Sequence, residues 1–284
     1  MKKNKLTVII PTYNRADLLG RSIQSVLDQS FKEFDLIIID DKSTDGTPRV
    51  VKNFNDSRIK YIKNQKNLGI IGNWNKAIDV APGKYLSIFH DDDIMSPDFL
   101  KEAFLALEAN PSVGFTFPMI KMVDINRNLI KVWYDGYKGK TGLISGLEYI
   151  LLTIRKERCL SLAPSMVFRK KVFKKVGYFG QEFSFNTFDF NRWFKIALNF
   201  DVYLINKFLF EYTVHPGQMS QLHWRTPQNP TGIIGANLEM VGAIAHLITN
   251  KYAEDKKARE FLSEKLIIFN HKIADAVKIL APSL

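Results

Sequence analysis

One stretch of the chain indicates the fold most strongly: Tyr85-Leu86-Ser87-Ile88-Phe89-His90-Asp91-Asp92-Asp93. Its first half is an apolar run typical of a buried β-strand, and three adjacent carboxylates follow where that run ends. Adjacent acids repel one another, and a hard divalent cation such as Mg²⁺ or Mn²⁺ relieves that repulsion because it prefers carboxylate oxygens. The triplet therefore indicates a metal site, with a solvated acidic turn as the alternative.

The residues after the triplet predict a helix. Ser96 suits a helix cap and Pro97 suits a first helical turn. Apolar residues then recur at helical spacing at Phe99, Leu100, Phe104 and Leu105. The acids are therefore expected on a strand-to-helix loop, which is the place where open α/β sheets bind ligands.

Upstream of this stretch, strand patterns alternate with helical patterns. Strands are expected at 6–10, 36–39 and 59–62, and 85–90 is the fourth. Buried strands that alternate with helices predict an α/β fold with a mainly parallel central sheet flanked by helices, Rossmann-like in its first half. No G-x-G-x-x-G follows the first run and no G-x-x-x-x-G-K-[ST] occurs, which argues against a dinucleotide redox enzyme and a P-loop phosphotransferase.

Beyond residue 113 the pattern becomes shorter and less regular. Strands are expected at 113–117, 119–123 and 166–168, and an aromatic-rich segment runs from 183 to 194. The pattern divides the chain into an α/β half (1–110), a less regular half of the same domain (111–228) and a helical C-terminal extension (229–284). The extension carries an apolar stripe at Leu262, Leu266, Phe269, Ile273, Val277 and Leu280.

Composition limits the location and the partners. The 284 residues carry a formal net charge of +11 and one cysteine, Cys159, which excludes an internal disulfide and fits a reducing compartment. The basic start, Met1-Lys2-Lys3, lacks the apolar region of a signal peptide, and no run approaches the roughly 18 apolar residues of a membrane span. These features predict a cytoplasmic protein with an anionic partner: a nucleic acid, a membrane surface or a phosphorylated small molecule.

Polar residues follow the expected strands. They read Pro11-Thr12-Tyr13-Asn14-Arg15, Asp40-Asp41, Asn67-Leu68-Gly69 and Asp91-Asp92-Asp93. Because the carboxyl ends of parallel strands meet at one edge of a sheet, these segments are expected to lie together. Acids that pair with a base and a ribose, beside acids that hold a cation, indicate a nucleotide diphosphate as the ligand.

These four blocks, in this order and on these elements, resemble glycosyltransferase family 2, and the match is close over roughly the first hundred residues. The resemblance implies the GT-A fold, in which a nucleotide-binding α/β half, here residues 1–110, is continuous with an acceptor-binding half, here residues 111–228. It also implies transfer of a sugar from a nucleotide-diphosphate donor, with inversion at the anomeric carbon. A UDP-sugar is the expected donor, and Mn²⁺ or Mg²⁺ is the expected cofactor.

The resemblance also assigns roles to individual residues. The nucleotide-binding residues that it implies are Pro11, Thr12, Tyr13, Arg15, Asp40, Asp41, Asn73 and Asp91. The metal-binding residues that it implies are Asp92, Asp93 and His215. Within the first set, Asp41 matches the acid that hydrogen-bonds the base, and Asp91 matches the residue that faces the ribose. Many members have an acid where this chain has His90, which leaves open which acids contact the metal.

An inverting transfer needs a base for the acceptor hydroxyl. The family places an acid just before a short aromatic helix, and Asp189 in Phe188-Asp189-Phe190-Asn191-Arg192-Trp193 matches it. Apolar surroundings raise the pKa of a carboxyl group and make it a better base. A helix cap is the alternative role for Asp189, and Glu182 is the second candidate for the base. The neighbouring aromatic residues either stack on a sugar ring or pack in the core.

The resemblance predicts a glycan or a lipid-linked saccharide as the acceptor, in cell-surface polysaccharide biosynthesis. The apolar stripe of the C-terminal extension then has three interpretations: packing on the catalytic domain, contact with anionic lipid at the inner face of the cell membrane, or pairing into a homodimer. A nucleotidyltransferase and a catalytically inactive nucleotide- or partner-binding relative are the alternative functions. We expect no nucleic-acid partner, since no dense basic patch interleaved with aromatic residues occurs.

Overall fold

The computed structural model describes residues 4–133, 141–156, 160–180, 188–218, 238, 241–242, 244–245, 249 and 254–280. Its first part alternates strands and helices: β1 (Leu6–Thr12), α1 (Leu19–Leu27), β2 (Phe34–Asp40), α2 (Thr47–Lys52), β3 (Ile59–Lys63), α3 (Gly69–Val80) and β4 (Tyr85–Ile88). The four predicted strands are present, with ends that differ by at most two residues from those expected.

The second part contains β5 (Ile94–Met95), α4 (Phe99–Ala109), β6 (Val113–Val123), β7 (Leu129–Val132), β8 (Gly142–Ile144), α5 (Gly146–Lys156), β9 (Val167–Arg169), α6 (Lys171–Val176), α7 (Phe188–Ala197), β10 (Asp201–Thr213) and α8 (Lys256–Leu280). The strands expected at 113–117 and 119–123 are one strand, because Pro118 lies where the register with β10 is irregular and its missing N–H is tolerated. Helix α4 has Asp98 at its cap position, so Ser96 and Pro97 precede the helix rather than begin it.

The described strands form one sheet in the order β3-β2-β1-β4-β9-β6-β10-β5, with β7 paired to β6 and β8 paired to β10. Strands β3, β2, β1 and β4 are parallel throughout. Strand β9 pairs antiparallel with both β4 and β6, while β6 and β10 are parallel to each other. The sheet is therefore parallel in its first half and mixed in its second, and it runs without interruption through both halves.

The core lies on both faces of this sheet because successive strand side chains point to opposite sides. On one side, Ile9 and Ile88 pack with apolar residues of α3, α5, α7 and α8. On the other side, Val8 and Ile38 pack with apolar residues of α1 and α4. Burial on both faces explains why β1, β2 and β4 are largely apolar runs rather than alternating patterns.

Helix α8 packs on the core through its apolar stripe. Leu262 and Phe269 are buried in the same cluster as Ile9, and Leu266 is half-buried against it. This arrangement corresponds to the first of the three interpretations of the stripe, which was packing on the catalytic domain. Across the described part of the chain, no helix combines the length and apolar character that crossing a membrane requires.

Candidate active site

The carboxyl ends of β1, β2 and β3 meet at one edge of the sheet. In the strand register, Thr12 lies beside Asp40, and Asp40 lies beside Lys63. The chain turns sharply after β1 and after β2, where Asn14 and Lys42 have φ angles of 52° and 70°. Residues other than glycine rarely adopt this left-handed backbone conformation. Here it reverses the chain direction in the two polar loops that follow β1 and β2.

Hydrogen bonds join these two loops. The main-chain N–H of Asn14 donates to Ser43 Oγ at 2.9 Å, and Asn14 Oδ1 accepts from the N–H of Thr44 at 2.9 Å. The N–H of Arg15 donates to the hydroxyl of Thr47 at 3.2 Å. Tyr13 directly precedes Asn14 in the chain and is 49% exposed, so its ring can receive a flat ligand.

Asp41 is buried behind this loop, and one of its carboxylate oxygens is engaged. Oδ1 of Asp41 accepts from the side-chain amide of Asn64 and from the N–H of Leu68, both at 2.8 Å. The same Asn64 amide donates to Oδ1 of Asn73 at 2.9 Å, and Asn73 donates to the carbonyl of Ile39 at 3.2 Å. Asn73 therefore contacts Asn64, and Asn64 in turn orients the carboxylate of Asp41.

The carboxylate of Asp40 is engaged by protein groups. It is fully buried, accepts from the N–H of Ser43 at 2.6 Å and from the hydroxyl of Tyr61, and lies 4.0 Å from Nζ of Lys63. Burial and the bond to Asp40 raise the pKa of Tyr61. These contacts shape the turn after β2, so Asp40 stabilises the loop that precedes Ser43.

The acid triplet is buried at the end of β4, and its members differ in charge. Burial and the charge of Asp92 raise the pKa of Asp91 to about 7. The same two causes raise the pKa of Asp93 well above its usual range. Burial acts against ionisation of Asp92 too, but the hydrogen bond with His215 brings the pKa of Asp92 below its usual value. The protein alone thus supplies too little positive charge for three carboxylates.

Asp92 and Asp93 each have one carboxylate oxygen engaged and one unpaired. Oδ2 of Asp92 lies 3.1 Å from Nε2 of His215, and Oδ1 of Asp93 accepts from the N–H of Thr213 at 2.9 Å. Oδ1 of Asp92 and Oδ2 of Asp93 are buried and have no hydrogen-bond partner within the described ranges. Buried polar atoms are normally paired, so two unpaired carboxylate oxygens in one cluster point to a cation.

His90 completes a group that suits a divalent cation. One ligand atom each from His90, Asp92 and Asp93 lies within 4.8 Å of the other two, and His90 Nδ1 is 3.9 Å from Asp93 Oδ2. Opposite ligands of an octahedral Mg²⁺ are about 4.2 Å apart, so small side-chain movements bring these atoms to ligand distance. Burial lowers the pKa of His90 and favours the neutral ring, which is the form that binds metals. These residues therefore fit Mn²⁺ or Mg²⁺.

The segment after β10 closes one side of the site. His215 was predicted as a metal ligand, and the structure places it against Asp92, which belongs to the cation group. The guanidinium of Arg15 donates to the carbonyl of Gly217 at 2.7 Å, and the N–H of Gln218 donates to the carbonyl of His215 at 3.1 Å. The loop after β1 and the loop after β10 are thereby joined beside Asp92.

Asp189 lies in the first turn of α7, and its side chain is outside the described part of the molecule, as is the whole of Glu182. The described part of α7 is firmly anchored. Trp193 is 1% exposed and stacks on Phe168 with ring centroids 5.0 Å apart. Trp193 is therefore a core residue rather than a platform for a sugar ring.

Three residues at the site carry functions that the motifs did not assign. His90 belongs to the cation group, Asn64 holds Asp41, and Arg21 of α1 donates to the carbonyl of Asp92 at 2.8 Å. Asn64 directly follows β3, so its place at a strand end is a signal that could have identified it. Arg21 offers no such signal because its partner is 71 positions away in the sequence.

The fold and this acidic edge define the class: an α/β protein with a candidate ligand site where parallel strands end. The family model described as Glycosyl transferase family 2 matches residues 7–177. A glycosyltransferase of Methanocaldococcus jannaschii, MJ1057, is 32% identical over 220 residues, which cover 75% of this chain and 72% of the relative. The chain belongs to glycosyltransferase family 2.

Two bacterial relatives match over shorter segments. The GalNAc(5)-diNAcBac-PP-undecaprenol beta-1,3-glucosyltransferase of Campylobacter jejuni is 45% identical over 92 residues, or 31% of this chain and 30% of that protein. The UDP-Glc:alpha-D-GlcNAc-diphosphoundecaprenol beta-1,3-glucosyltransferase WfgD of Escherichia coli is 31% identical over 121 residues, or 43% of this chain and 47% of that protein. The matches span less than half the length of either enzyme.

Two solved structures share the fold. Staphylococcus aureus TarS 1–349 in complex with UDP-GlcNAc aligns with a TM-score of 0.65 and 21% identity, covering 98% of this chain and 83% of TarS 1–349. The mannosyltransferase PcManGT from Pyrobaculum calidifontis, in complex with GDP-Man and Mn²⁺, aligns with a TM-score of 0.61 and 18% identity, covering 98% and 74%. The fold is the GT-A fold that the resemblance implied.

Proposed function

We propose that this chain is an inverting glycosyltransferase that moves a sugar from a UDP-sugar to a hydroxyl of a glycan or lipid-linked saccharide, in cell-surface polysaccharide biosynthesis. One observation carries the proposal. Two buried carboxylate oxygens, Asp92 Oδ1 and Asp93 Oδ2, lack a partner among the described residues, at the same edge of the sheet that buries Asp41. A cation site beside a base-binding acid suits a nucleotide diphosphate.

The relatives support the classes of donor and acceptor. The Escherichia coli relative is named for UDP-Glc and for an acceptor linked to diphosphoundecaprenol, and the Campylobacter jejuni relative is also named for an undecaprenol-linked acceptor. The TarS structure holds UDP-GlcNAc, whereas PcManGT holds GDP-Man. We therefore propose a UDP-sugar as the donor and a lipid-linked saccharide as the acceptor. A GDP-sugar is the alternative donor, and a binding test must distinguish the two.

On the donor side, Asn64 and Leu68 hold Oδ1 of Asp41, so Oδ2 of Asp41 is assigned to the nucleobase. The exposed ring of Tyr13 stacks on that base. His90, Asp92 and Asp93 hold Mn²⁺ or Mg²⁺. When bound, the cation neutralises charge on the diphosphate and stabilises the departing nucleotide.

On the acceptor side, Asp189 takes the proton of the acceptor hydroxyl. The hydroxyl oxygen then forms a bond to the anomeric carbon on the face opposite the diphosphate, while the bond from that carbon to the diphosphate oxygen breaks. The electron pair of the broken bond leaves with the nucleoside diphosphate, and the anomeric configuration inverts. The position of Asp189 in the first turn of α7, which Trp193 anchors in the core, supports this role.

A lipid-linked acceptor would bring the enzyme to a membrane surface. The apolar stripe of α8 packs on the core and is not free to contact lipid. We therefore assign contact with anionic lipid to the exposed cations at the start of this helix, Lys256, Lys257 and Arg259. Sedimentation with vesicles checks this part of the proposal. We expect binding that rises with the anionic lipid fraction and falls with salt, and binding that is insensitive to both would contradict it.

A thermal-shift screen tests the donor site. UDP, GDP, dTDP and CMP are each added with Mn²⁺ and with EDTA to the wild type and to Asp92→Asn. A ligand that binds only the folded state at 100 times its Kd stabilises by about 2.7 kcal/mol. We expect UDP with Mn²⁺ to raise the melting temperature most, and we expect Asp92→Asn to lose the metal-dependent part.

Two controls make the screen decisive. Asp56→Asn removes a carboxylate that pairs with Arg58 away from the acid cluster, and it should respond to UDP and Mn²⁺ as the wild type does. Asp189→Asn should bind UDP and Mn²⁺ normally but lose transfer to the acceptor. A wild type that responds to no nucleotide would argue for the inactive-relative alternative instead.

A further inference from the structure

Helix α1 has a polar side that contacts the acid loop. The apolar side of α1 is buried in the core through Leu19, Ile23 and Val26. Its other buried residues are Ser22 at 0% exposure and Ser25 at 8%, and Gln29, just beyond the helix end, is also at 0%. Serine is a weak helix former, and buried polar groups cost stability unless they are hydrogen-bonded, so these side chains need an explanation.

Each of these side chains bonds a main-chain group in the acid loop, residues 91–93, or in the segment that follows it, and Ser25 and Gln29 also donate to carbonyls of α1 itself. Ser22 Oγ donates to the carbonyl of Asp93 at 2.8 Å, and Arg21 donates to the carbonyl of Asp92 at 2.8 Å. Ser25 Oγ accepts from the N–H of Met95 at 3.2 Å.

Gln29 extends the same set of contacts. Its amide donates to the carbonyl of Ser96 at 2.7 Å and accepts from the N–H of Leu100 at 2.9 Å. Four side chains spaced along one side of α1 and its end thus contact the segment from residue 92 to residue 100, which includes β5 and the start of α4. A helix that only filled space behind the loop would not need a polar contact at each step.

The contacts made by Asp92 and Asp93 show what this arrangement achieves. For each acid, α1 holds the main-chain carbonyl, and a group at the end of β10 or just after it engages one carboxylate oxygen. The remaining oxygen of each acid is the buried atom without a partner in the described part of the chain. In each acid, α1 holds the main-chain carbonyl and a group at or just after the end of β10 holds one carboxylate oxygen. The side chain therefore has little freedom to rotate its remaining carboxylate oxygen away from the cation site.

We infer that α1 is a positioning element of the cation site: Arg21, Ser22, Ser25 and Gln29 hold the acid loop so that Asp92 Oδ1 and Asp93 Oδ2 stay directed at one cation. The inference rests on the proposed function, since it concerns the cation that the transfer uses. None of the four side chains is a catalytic residue, because each acts through the main chain of the loop. Residues that orient ligands in this way typically change metal affinity by about 10- to 100-fold when they are replaced.

The test compares Ser22→Ala with a matched control. Thr7→Val also removes one fully buried hydroxyl that bonds to the main chain, here the N–H of Gly83 at 3.0 Å. Thr7 lies at the opposite end of β1, five residues and about 16 Å from Thr12 at the site edge. Mn²⁺ affinity is measured on the full chain without nucleotide, from the electron paramagnetic resonance signal of free Mn²⁺. UDP affinity in EDTA is measured by calorimetry.

We expect Ser22→Ala to weaken Mn²⁺ binding by about tenfold and to leave UDP binding in EDTA unchanged. Thr7→Val should lose similar thermal stability but bind Mn²⁺ as the wild type does. If Ser22→Ala cannot be purified folded, Arg21→Lys replaces it. This variant keeps the charge but cannot span both of the carbonyls that Arg21 contacts, those of Asp92 and Ile125, and a severalfold loss of Mn²⁺ affinity is expected.

The outcomes separate this inference from the proposed function. Wild-type affinity for Mn²⁺ in Ser22→Ala, with stability reduced as in Thr7→Val, would show that α1 has only a structural role and would leave the proposed function intact. A wild type that takes up no Mn²⁺ would overturn the cation site and the role of α1 together. UDP binding in EDTA would then still report on the base pocket.

Discussion

Two clusters of buried charge lie at opposite ends of β4, and they are built in opposite ways. At the amino end, Arg169 donates to the carbonyls of Val113, Leu107 and Asn110 and to the hydroxyl of Tyr85. At the carboxyl end, the acid cluster of residues 90–93 has carboxylate oxygens with no partner among the described residues. One end of β4 thus lies beside a cation with four hydrogen bonds, and acids with unpaired oxygens within the described ranges follow its other end.

The pKa values show the same contrast. Hydrogen bonds from Lys5, Lys84 and Tyr85 lower the pKa of Glu108 to about 2 at the amino end. Burial raises the pKa of Asp91 to about 7 at the carboxyl end. Paired charges stabilise a fold, whereas buried charges without partners destabilise it until a ligand arrives. This difference indicates that the cluster at the amino end stabilises the fold, whereas the acid cluster of residues 90–93 is suited to binding a ligand.

The largest effect is expected for Asp93→Asn, which tests the ligand-binding end. The amide oxygen can still accept from the N–H of Thr213, but it no longer offers a charged ligand. We expect transfer to fall by about 10²-fold or more, because a bound metal contributes several kcal/mol to the barrier and each 1.36 kcal/mol is tenfold.

The melting temperature of metal-free Asp93→Asn should equal or exceed that of the wild type, since one unpaired charge is gone. Steady-state kinetics and calorimetry in EDTA measure the two effects. A large drop in the metal-free melting temperature would mean that Asp93 supports the fold, and the contrast between the two ends would be lost.

The next effect is expected at the other end, for Arg169→Met. The substitution leaves three main-chain carbonyls without the donor that Arg169 supplies. Each buried polar group left unpaired costs about 1–3 kcal/mol, so we expect a loss of roughly 3 kcal/mol or more. Denaturant unfolding measures this loss. The free energy of unfolding of the matched variant Arg169→Lys should lie between those of the wild type and Arg169→Met. Below the melting temperature, kcat should stay within about twofold of the wild type, because Arg169 is distant from the reacting groups. A stable but inactive Arg169→Met would contradict the comparison.

A smaller effect is expected from pH. The folded pKa of Asp91, about 7, exceeds its unfolded value of about 3.9. Between these values the unfolded chain loses the proton first, so the stability of the metal-free protein should fall as pH rises from about 4 to 7. We expect a decrease of a few degrees in melting temperature over this window. Asp91→Asn should flatten the decrease, and a wild-type curve that rises instead would exclude this account.

The smallest effect is expected for Glu108→Gln, whose side chain is 30% exposed. The pairs with Lys5 and Lys84 should contribute no more than about 1 kcal/mol near neutral pH. Because the folded pKa of Glu108 is lowered, this stability should be present above pH 4.3 or so and disappear as pH falls towards about 2. The free energies of unfolding of the wild type and Glu108→Gln are compared across this pH range. Equal values at every pH would show that Glu108 does not stabilise the fold.

Much of the first half of the molecule was predictable from local pattern. Strands β1, β2 and β4 are buried on both faces, so each appears in the sequence as a largely apolar run, whereas β3, at the end of the strand order, carries the exposed Lys60 and Lys63. The polar loops after them, with Tyr13, Asp41 and Asp92, lie together because parallel strands place their carboxyl ends on one edge. The resemblance to glycosyltransferase family 2 rested on these segments, and the family match covers them.

The second half was less predictable because its pairings are non-local. Two expected strands are the single strand β6, since only the irregular register opposite Pro118 makes a proline acceptable there. Strand β5 has two residues and exists through its pairing with β10, which is more than a hundred positions away. Nothing in such short segments distinguishes a strand from a loop.

The sequence by itself determined the fold class, the family and the acids that gather at the sheet edge, because strand runs and loop motifs are local properties of the chain. The tertiary structure alone decided which oxygens of those acids remain unpaired. The contacts from His215, Thr213, Arg21 and Ser22 join segments between 71 and 123 positions apart. Such contacts depend on the path of the chain in space, and no local pattern records them.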